Sequence, residues 1–357
     1  MRCTTVLAVP LLLLTLVGSL ILGVGCMFIP RYSGVGGQSL AIDLSGNPAI
    51  AYHEIGGRDL KYAHWNGKRW KLESVDKTGI VGLYPSLAFD GSGNPGISYN
   101  DITIGSNVKF ARWDGETWVL ETIDSGVYPS LAFDDSGNPA IAYCTAAYTG
   151  EGVELRYAHS SGAGWILETV DGVGRYGEGI SLAFDTARNP CISYVESTSN
   201  NLKFARWDGS TWALQTIIGA EAAADMSLAF DSTGNPAMTS VLKSSSLTFA
   251  YWNGTNWVLE TVDNDVNIGC TSLALDGSGH PTISYYRGSS GLRFARWNGT
   301  KWLLETVDNL VVGGTSLAFD TEGNPVIAYS DITDNSHDLK LARWDGSSWI
   351  VQIVDKG

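Results

Sequence analysis

SLAFDGSGNPGISY, beginning at Ser86, returns almost unchanged as SLAFDDSGNPAIAY at Ser130. Copies of this phrase begin at Ser39, Ser86, Ser130, Ser181, Ser227, Ser272 and Ser316, at steps of 47, 44, 51, 46, 45 and 44 residues. A period of that length marks a supersecondary unit that cannot bury its apolar face alone and must stack on its neighbours. Each copy holds four short apolar or alternating runs, as in SLAFD, NPGISY, NVKFARW and WVLETID, separated by turn residues. Such runs are strand-length and rich in β-branched and aromatic residues, and no sustained helical period follows residue 30. Four strands per unit at this period predict an all-β chain. The expected fold is a seven-bladed β-propeller of four-stranded antiparallel blades over residues 39–357, with the repeated serines opening the innermost strands.

Two turns recur with the strands. Between the first and second strands, Asp43, Asp90, Asp134, Asp185, Asp231, Asp276 and Asp320 head an Asp-x-x-Gly-Asn-Pro pattern or a close variant. The Asp side chain can bond amides ahead of it, Gly supplies positive φ, and Pro opens a strand where no ladder donor is needed. The further oxygen ligands of a calcium loop are absent, so these carboxylates are expected to cap turns, and no metal or cofactor is expected. Between the third and fourth strands, WDGETW or a variant places two tryptophans opposite each other across a four-residue loop. The pairs are Trp65 with Trp70, Trp113 with Trp118, Trp207 with Trp212, Trp252 with Trp257, Trp297 with Trp302 and Trp344 with Trp349. The third copy keeps Trp165 opposite Ser160, and these positions account for all 13 tryptophans, as a scaffold role requires.

WDGSTW (Trp207 to Trp212) resembles a shortened Asp-box of sialidase-type propellers, which also lies on a third-to-fourth strand turn. Here Arg stands where that box carries a leading Ser or Thr, and Gly follows the Asp at once. The same segments are similar to the blade repeat of bacterial seven-bladed propeller lectins, in which a Trp-Asp-Gly-x-x-Trp run is common. The resemblance implies a propeller over Ser39 to Lys356, with sugar binding or glycoside hydrolysis as the associated activities.

The first 30 residues differ from the rest. From Cys3 to Pro30 there is no charged side chain, and VLAVPLLLLTLVGSLILGVG is apolar for the length of a membrane span. Arg2 before it orients the N-terminus to the cytoplasm and the remaining chain outside. Residues 1–30 are therefore expected to be a signal or lipoprotein leader or a transmembrane anchor helix, followed by a spacer over 31–38. LGVGC resembles a lipoprotein box, which makes Cys26 the candidate for lipidation. The formal net charge of −14 excludes nucleic acid and anionic membrane surfaces as partners of the folded part. Cys144, Cys191 and Cys270 show no disulfide or zinc spacing.

In an up-and-down blade, the first-to-second and third-to-fourth loops share one face. Both are nearly constant among the copies, whereas the loops of the opposite face vary, and recognition usually resides in individual loops on a rigid frame. On that variable face the second strand ends in Tyr with an acid two residues later, at Tyr52 and Glu54, Tyr99 and Asp101, Tyr194 and Glu196, and Tyr329 and Asp331. Copy six has Arg287 at the acid's place, and GRYGEG groups Arg175, Tyr176 and Glu178. The ligand-binding candidates are Glu54, Arg58, Asp101, Arg175, Tyr176, Glu178, Glu196, Arg287 and Asp331; the tyrosines are also suited to packing between blades. A sialidase-type site needs clustered arginines, a Tyr nucleophile and an acid. Arg112, Arg206, Arg296 and Arg343 belong to the repeated ARW and read as scaffold. Arg58, Arg175 and Arg287 lie in separate copies, and no catalytic residues are assigned. The expected function is a monomeric, extracytoplasmic, membrane-tethered propeller that binds a glycan or a cell-surface protein, secreted if the leader is cleaved without lipidation. A glycoside hydrolase is the alternative.

Overall fold

A computed structural model describes residues 37–145, 152–174, 179–219, 222–242, 246–264, 268–310, 312–333 and 337–357. The leader with Cys26, and the candidates Arg175, Tyr176 and Glu178, lie outside the described residues. The described part is almost entirely β, with a helical turn at Gly288–Ser290. None of its helices is long and apolar enough to cross a membrane.

The first repeat folds as an antiparallel meander of β1 (Gln38–Ile42), β2 (Pro48–Glu54), β3 (Asp59–Trp65) and β4 (Trp70–Asp76). β2 is buried on both faces, as a mid-sheet strand sandwiched between neighbouring sheets must be, while β4 is exposed along its middle. The second repeat gives β5 (Val81–Phe89), β6 (Pro95–Asp101), β7 (Asn107–Trp113) and β8 (Trp118–Phe133), and the third continues with β9 (Pro139–Thr145), β10 (Val153–Ser160) and β11 (Trp165–Gly174). Repeats four to seven each form their own four-stranded sheet.

β8 serves two repeats. Its first half, to Ser125, pairs with β7, and its second half, Gly126–Phe133, pairs with β9. Among the described residues the hydrogen-bonded sheets therefore number six, five of four strands and one of seven, while the four-strand units counted by repeat number seven. No loop residues separate the two halves, so the chain passes straight from the rim of one unit to the inner strand of the next. Gly126 permits this: a Cβ there would lie 2.5 Å from the Tyr143 ring and 2.8 Å from the Cys144 carbonyl oxygen.

Three kinds of contact join each unit to the next. Near the centre, the repeated serine accepts the backbone amide of the leucine that follows the next repeat's serine. Ser39 accepts from Leu87, Ser86 from Leu131, Ser130 from Leu182, Ser181 from Leu228 and Ser272 from Leu317, at 2.9–3.1 Å. Ser316 accepts from Leu40 at 3.0 Å, which closes the circle. The same closure packs Leu40, Ile50 and Tyr52 against Val326, Leu339 and Leu341.

Farther out, six buried tyrosines each donate to an aspartate six residues after the second hairpin tryptophan of the preceding unit. Tyr52 reaches Asp355, Tyr99 Asp76, Tyr143 Asp124, Tyr194 Asp171, Tyr285 Asp263 and Tyr329 Asp308, at 2.6–2.8 Å. A third-strand cation joins several of these: Lys109 lies 2.6 Å from Asp76, Arg156 2.8 Å from Asp124 and Lys203 2.7 Å from Asp171. At the seam between repeats four and five all three members are replaced together, by Ile218, Ser240 and Thr248. Losing one member alone would leave a buried polar group unmatched, so joint replacement is the stable alternative.

At the rim, the second tryptophan of a hairpin leans back onto the third-strand aromatic of the preceding unit. Trp118 meets Tyr62, Trp212 meets Tyr157 and Trp302 meets Phe249 edge-on, at 5.3–5.4 Å between centroids. Trp165 donates its indole N–H to Glu121 at 2.7 Å, and Trp302 to Glu260 at 3.2 Å.

Acid should loosen these seams. Burial pushes the Asp76 carboxyl up, but hydrogen bonds from Lys109, the Thr78 amide and Tyr99 outweigh it and leave the pKa below the usual value. Asp331, which pairs with Lys340 inside repeat seven, is lowered in the same way. A carboxylate lowered in the folded state stabilises fully above the unfolded pKa of about 4 and loses that contribution as pH falls through the folded value. Urea unfolding is thus expected to give constant stability from pH 7 to 5 and a progressive loss below about pH 4. A flat profile down to pH 2.5 would contradict the seam description.

Candidate functional site between neighbouring blades

The two short turns share one face. In every repeat the turn Asp accepts amide hydrogen bonds from residues two and four ahead, as Asp90 does from Ser92 and Asn94, both at 2.9 Å. In repeats one, two, four and seven its other oxygen pairs with the residue before the hairpin's first position: Asp43 lies 2.9 Å from His64 Nε2, and Asp90 2.7 Å from Arg112.

The acidic candidates of the opposite face are engaged within their own repeats. Glu54 pairs with Lys61 at 2.6 Å, and Asp331 with Lys340 at 2.7 Å. Asp101 accepts the Thr103 amide at 2.9 Å, and buried Glu196 accepts the amides of Thr198 and Ser199 and the side chain of Asn201. Arg58 is exposed on a left-handed backbone, φ 62°, and Arg287 lies 3.7 Å from Asp263. Arg58 and Arg287 belong to repeats one and six, with repeat seven between them. None of the described clefts is lined by any of these residues.

Those clefts open on the short-turn face, each between two neighbouring units. The cleft of repeats three and four, about 340 Å³, is lined by His159, Glu168, Arg188 and Trp207. The cleft of repeats six and seven, about 430 Å³, has Arg296, Glu305 and Trp344. That of repeats five and six, about 260 Å³, has Tyr251, Glu260 and Trp297. Each thus sets a hydrogen-bond donor and a carboxylate from one unit against the first hairpin tryptophan of the next. Arg296 Nε lies 3.2 Å from Glu305 Oε1, and His159 Nε2 lies 3.4 Å from Glu168 Oε1.

The two tryptophans of a hairpin divide their roles. Trp212 seals the seam against Tyr157, while Trp207, edge-on to it at 5.6 Å, forms the outer wall of the cleft. An indole wall offers an apolar face for the C–H side of a pyranose, and the adjacent donor and carboxylate match its hydroxyls. The clefts lie on the face opposite to the variable loops. Sequence reading assigned Arg296 and its equivalents to the scaffold. The available signal was the position before the hairpin, which changes among His, Arg and Tyr between constant neighbours.

One cleft residue departs from the turn pattern. The fourth turn position is Gly in six repeats, with φ of 79–85°, whereas Arg188 holds it in repeat four with φ 69°. A left-handed arginine is backbone strain of the kind that gathers at functional sites. Its guanidinium pairs with Asp135 across the mouth of the cleft.

A closed ring of four-stranded antiparallel units with clefts at its seams defines a β-propeller. No protein-family model matches the chain, and no curated protein matches it. Solved structures do. An ulvan lyase, described as a new family of polysaccharide lyase, is 13% identical with a TM-score of 0.63, over 90% of this chain and 96% of its own. The Aleuria aurantia lectin in complex with a fucosyl-α1,6-GlcNAc ligand is 13% identical with a TM-score of 0.55, over 91% and 97%. AofleA from Arthrobotrys oligospora is 13% identical with a TM-score of 0.51, over 76% and 86%. At these identities the likeness is one of fold.

Proposed function

We propose that the chain is a seven-bladed propeller that binds glycans in its interblade clefts and is held outside the cytoplasm at a membrane by its N-terminal segment. The observation that carries the reading is the recurrence of donor, carboxylate and indole at three seams, those of repeats three and four, five and six, and six and seven. A repeated cleft of that composition suits a repeated, hydroxyl-rich ligand. Propellers of similar fold whose names record a bound fucoside or a polysaccharide substrate support the same class of ligand. The apolar, uncharged run before residue 30 supports the tether.

A glycan array probed with the full chain tests the binding. Trp344→Ala and Glu305→Gln are expected to reduce the signal, and Asp101→Asn on the opposite face to leave it unchanged. The reverse pattern would move the site to the variable loops. Steady release of a cleaved sugar would make the protein a hydrolase. For the tether, Cys26→Ser should abolish an acyl-dependent mass increase if the leader is a lipoprotein signal and leave membrane association intact if it is a spanning anchor.

A further inference from the structure

We propose that the cleft between repeats three and four is a pH-gated saccharide subsite, competent when His159 is protonated and weak when it is neutral, a proposal that rests on glycan binding in the clefts. The residue before the hairpin is His64, Arg112, His159, Arg206, Tyr251, Arg296 and Arg343 in successive repeats. A guanidinium keeps its charge and five donors at every physiological pH, whereas an imidazole changes charge between about pH 5 and 8. Of the two histidines, His64 is held by the turn carboxylate Asp43 at 2.9 Å. His159 instead turns to the cleft carboxylate, with Nε2 3.4 Å from Glu168 Oε1, and both side chains are one-third exposed.

The surroundings make the second proton matter. His159 stacks on Tyr157 of its own strand at 5.4 Å. Glu168 faces it from the fourth strand, Asp134 and Asp135 from the turn of the same repeat, and Arg188 from the turn of the next. Glu168 also accepts the Trp212 indole N–H through Oε2 at 3.4 Å, which fixes the carboxylate against the seam. A protonated ring has two N–H donors, one for Glu168 and one for a sugar hydroxyl. The neutral ring has a single donor, and the carboxylate beside Nε2 competes for it. Ser160 stands where other repeats place the first tryptophan, so repeat three adds no indole of its own beside this histidine, and Trp207 is the aromatic wall.

The test titrates small uncharged probes, the methyl pyranosides of fucose, galactose and mannose, into the full chain at pH 5.5 and 7.5. Indole N–H resonances of Trp207 and Trp344 report the gated and the arginine cleft separately. With a sugar that binds, both signals should shift at pH 5.5. At pH 7.5 the Trp207 midpoint should rise about tenfold or more, the loss of one charge-assisted hydrogen bond, with Trp344 unchanged in a His280→Asn background, because His280 also lines the arginine cleft. His159→Arg should erase the difference by binding tightly at both pH values, and His159→Gln by binding weakly at both. A Trp207 midpoint equal at the two pH values while Trp344 responds overturns the gate alone. So does a pH difference that persists in His159→Arg. Silence of both indoles with every sugar at both pH values removes cleft binding and the gate together.

Discussion

Asp76→Ala is expected to lower the unfolding free energy by about 3–5 kcal/mol, because it strips the partner from a buried hydroxyl and a largely buried ammonium at once. Asp76 is 2% exposed, and it receives Tyr99 at 2.7 Å and Lys109 at 2.6 Å. Both donors lie in the second repeat while the acceptor ends the first, so the substitution weakens a seam and leaves each sheet's own ladder intact. Urea unfolding of Asp76→Ala, Lys109→Met and the double variant measures the coupling. A value of about 1–3 kcal/mol is expected for groups in one hydrogen-bonded cluster. Additive costs would mean that the lysine contributes nothing through the aspartate.

Trp118→Ala is expected to cost about 3 kcal/mol, at the lower end for a large aromatic because the side chain is half-buried. Its ring meets Trp113 of its own hairpin at 5.7 Å and Tyr62 of the preceding unit at 5.3 Å, both edge-on. Truncation therefore opens a gap at the rim of a seam and removes two aromatic contacts. Denaturant unfolding at pH 7 checks it, and a loss below about 1 kcal/mol would show the ring to be dispensable to the scaffold.

Much of the fold is written locally. The Asp-headed turn, the strand-opening proline and the paired tryptophans are all short-range patterns, and each sits in the structure where strand and turn chemistry puts it. The serines, expected to open the innermost strands, lie inside them in most repeats, as Ser86 does in β5 and Ser130 in β8, because each strand begins earlier with a bulged segment. What the sequence conceals is which repeat a side chain serves. Tyr99 reads as the end of a strand in one copy and Asp76 as the end of a strand in another, and their bond exists only once the units are stacked. The joint change to Ile218, Ser240 and Thr248 was visible as three separate irregularities. Its meaning depends on knowing that the three positions meet. The cleft residues were hidden for the opposite reason. His159, Tyr251 and Arg296 lie inside the most constant phrase of the repeat, where regularity reads as scaffold, while the acids that drew notice on the variable loops prove to be occupied with Lys61, Lys340 and loop amides.

The seam that joins the last repeat to the first uses the same currency as the internal seams: Ser316 to Leu40, Asp355 to Tyr52, and one shared apolar cluster. Among the described residues no strand is exchanged to lock it. A refolding chain therefore carries two free edges that fit each other and fit equally well the corresponding edges of another molecule. Intramolecular closure wins when the chain's own ends are the nearer partners, and linear or doubled assemblies compete as chains become crowded. Recovery of single rings from denaturant is thus a matter of dilution, and the larger species formed at high concentration should contain native seams throughout.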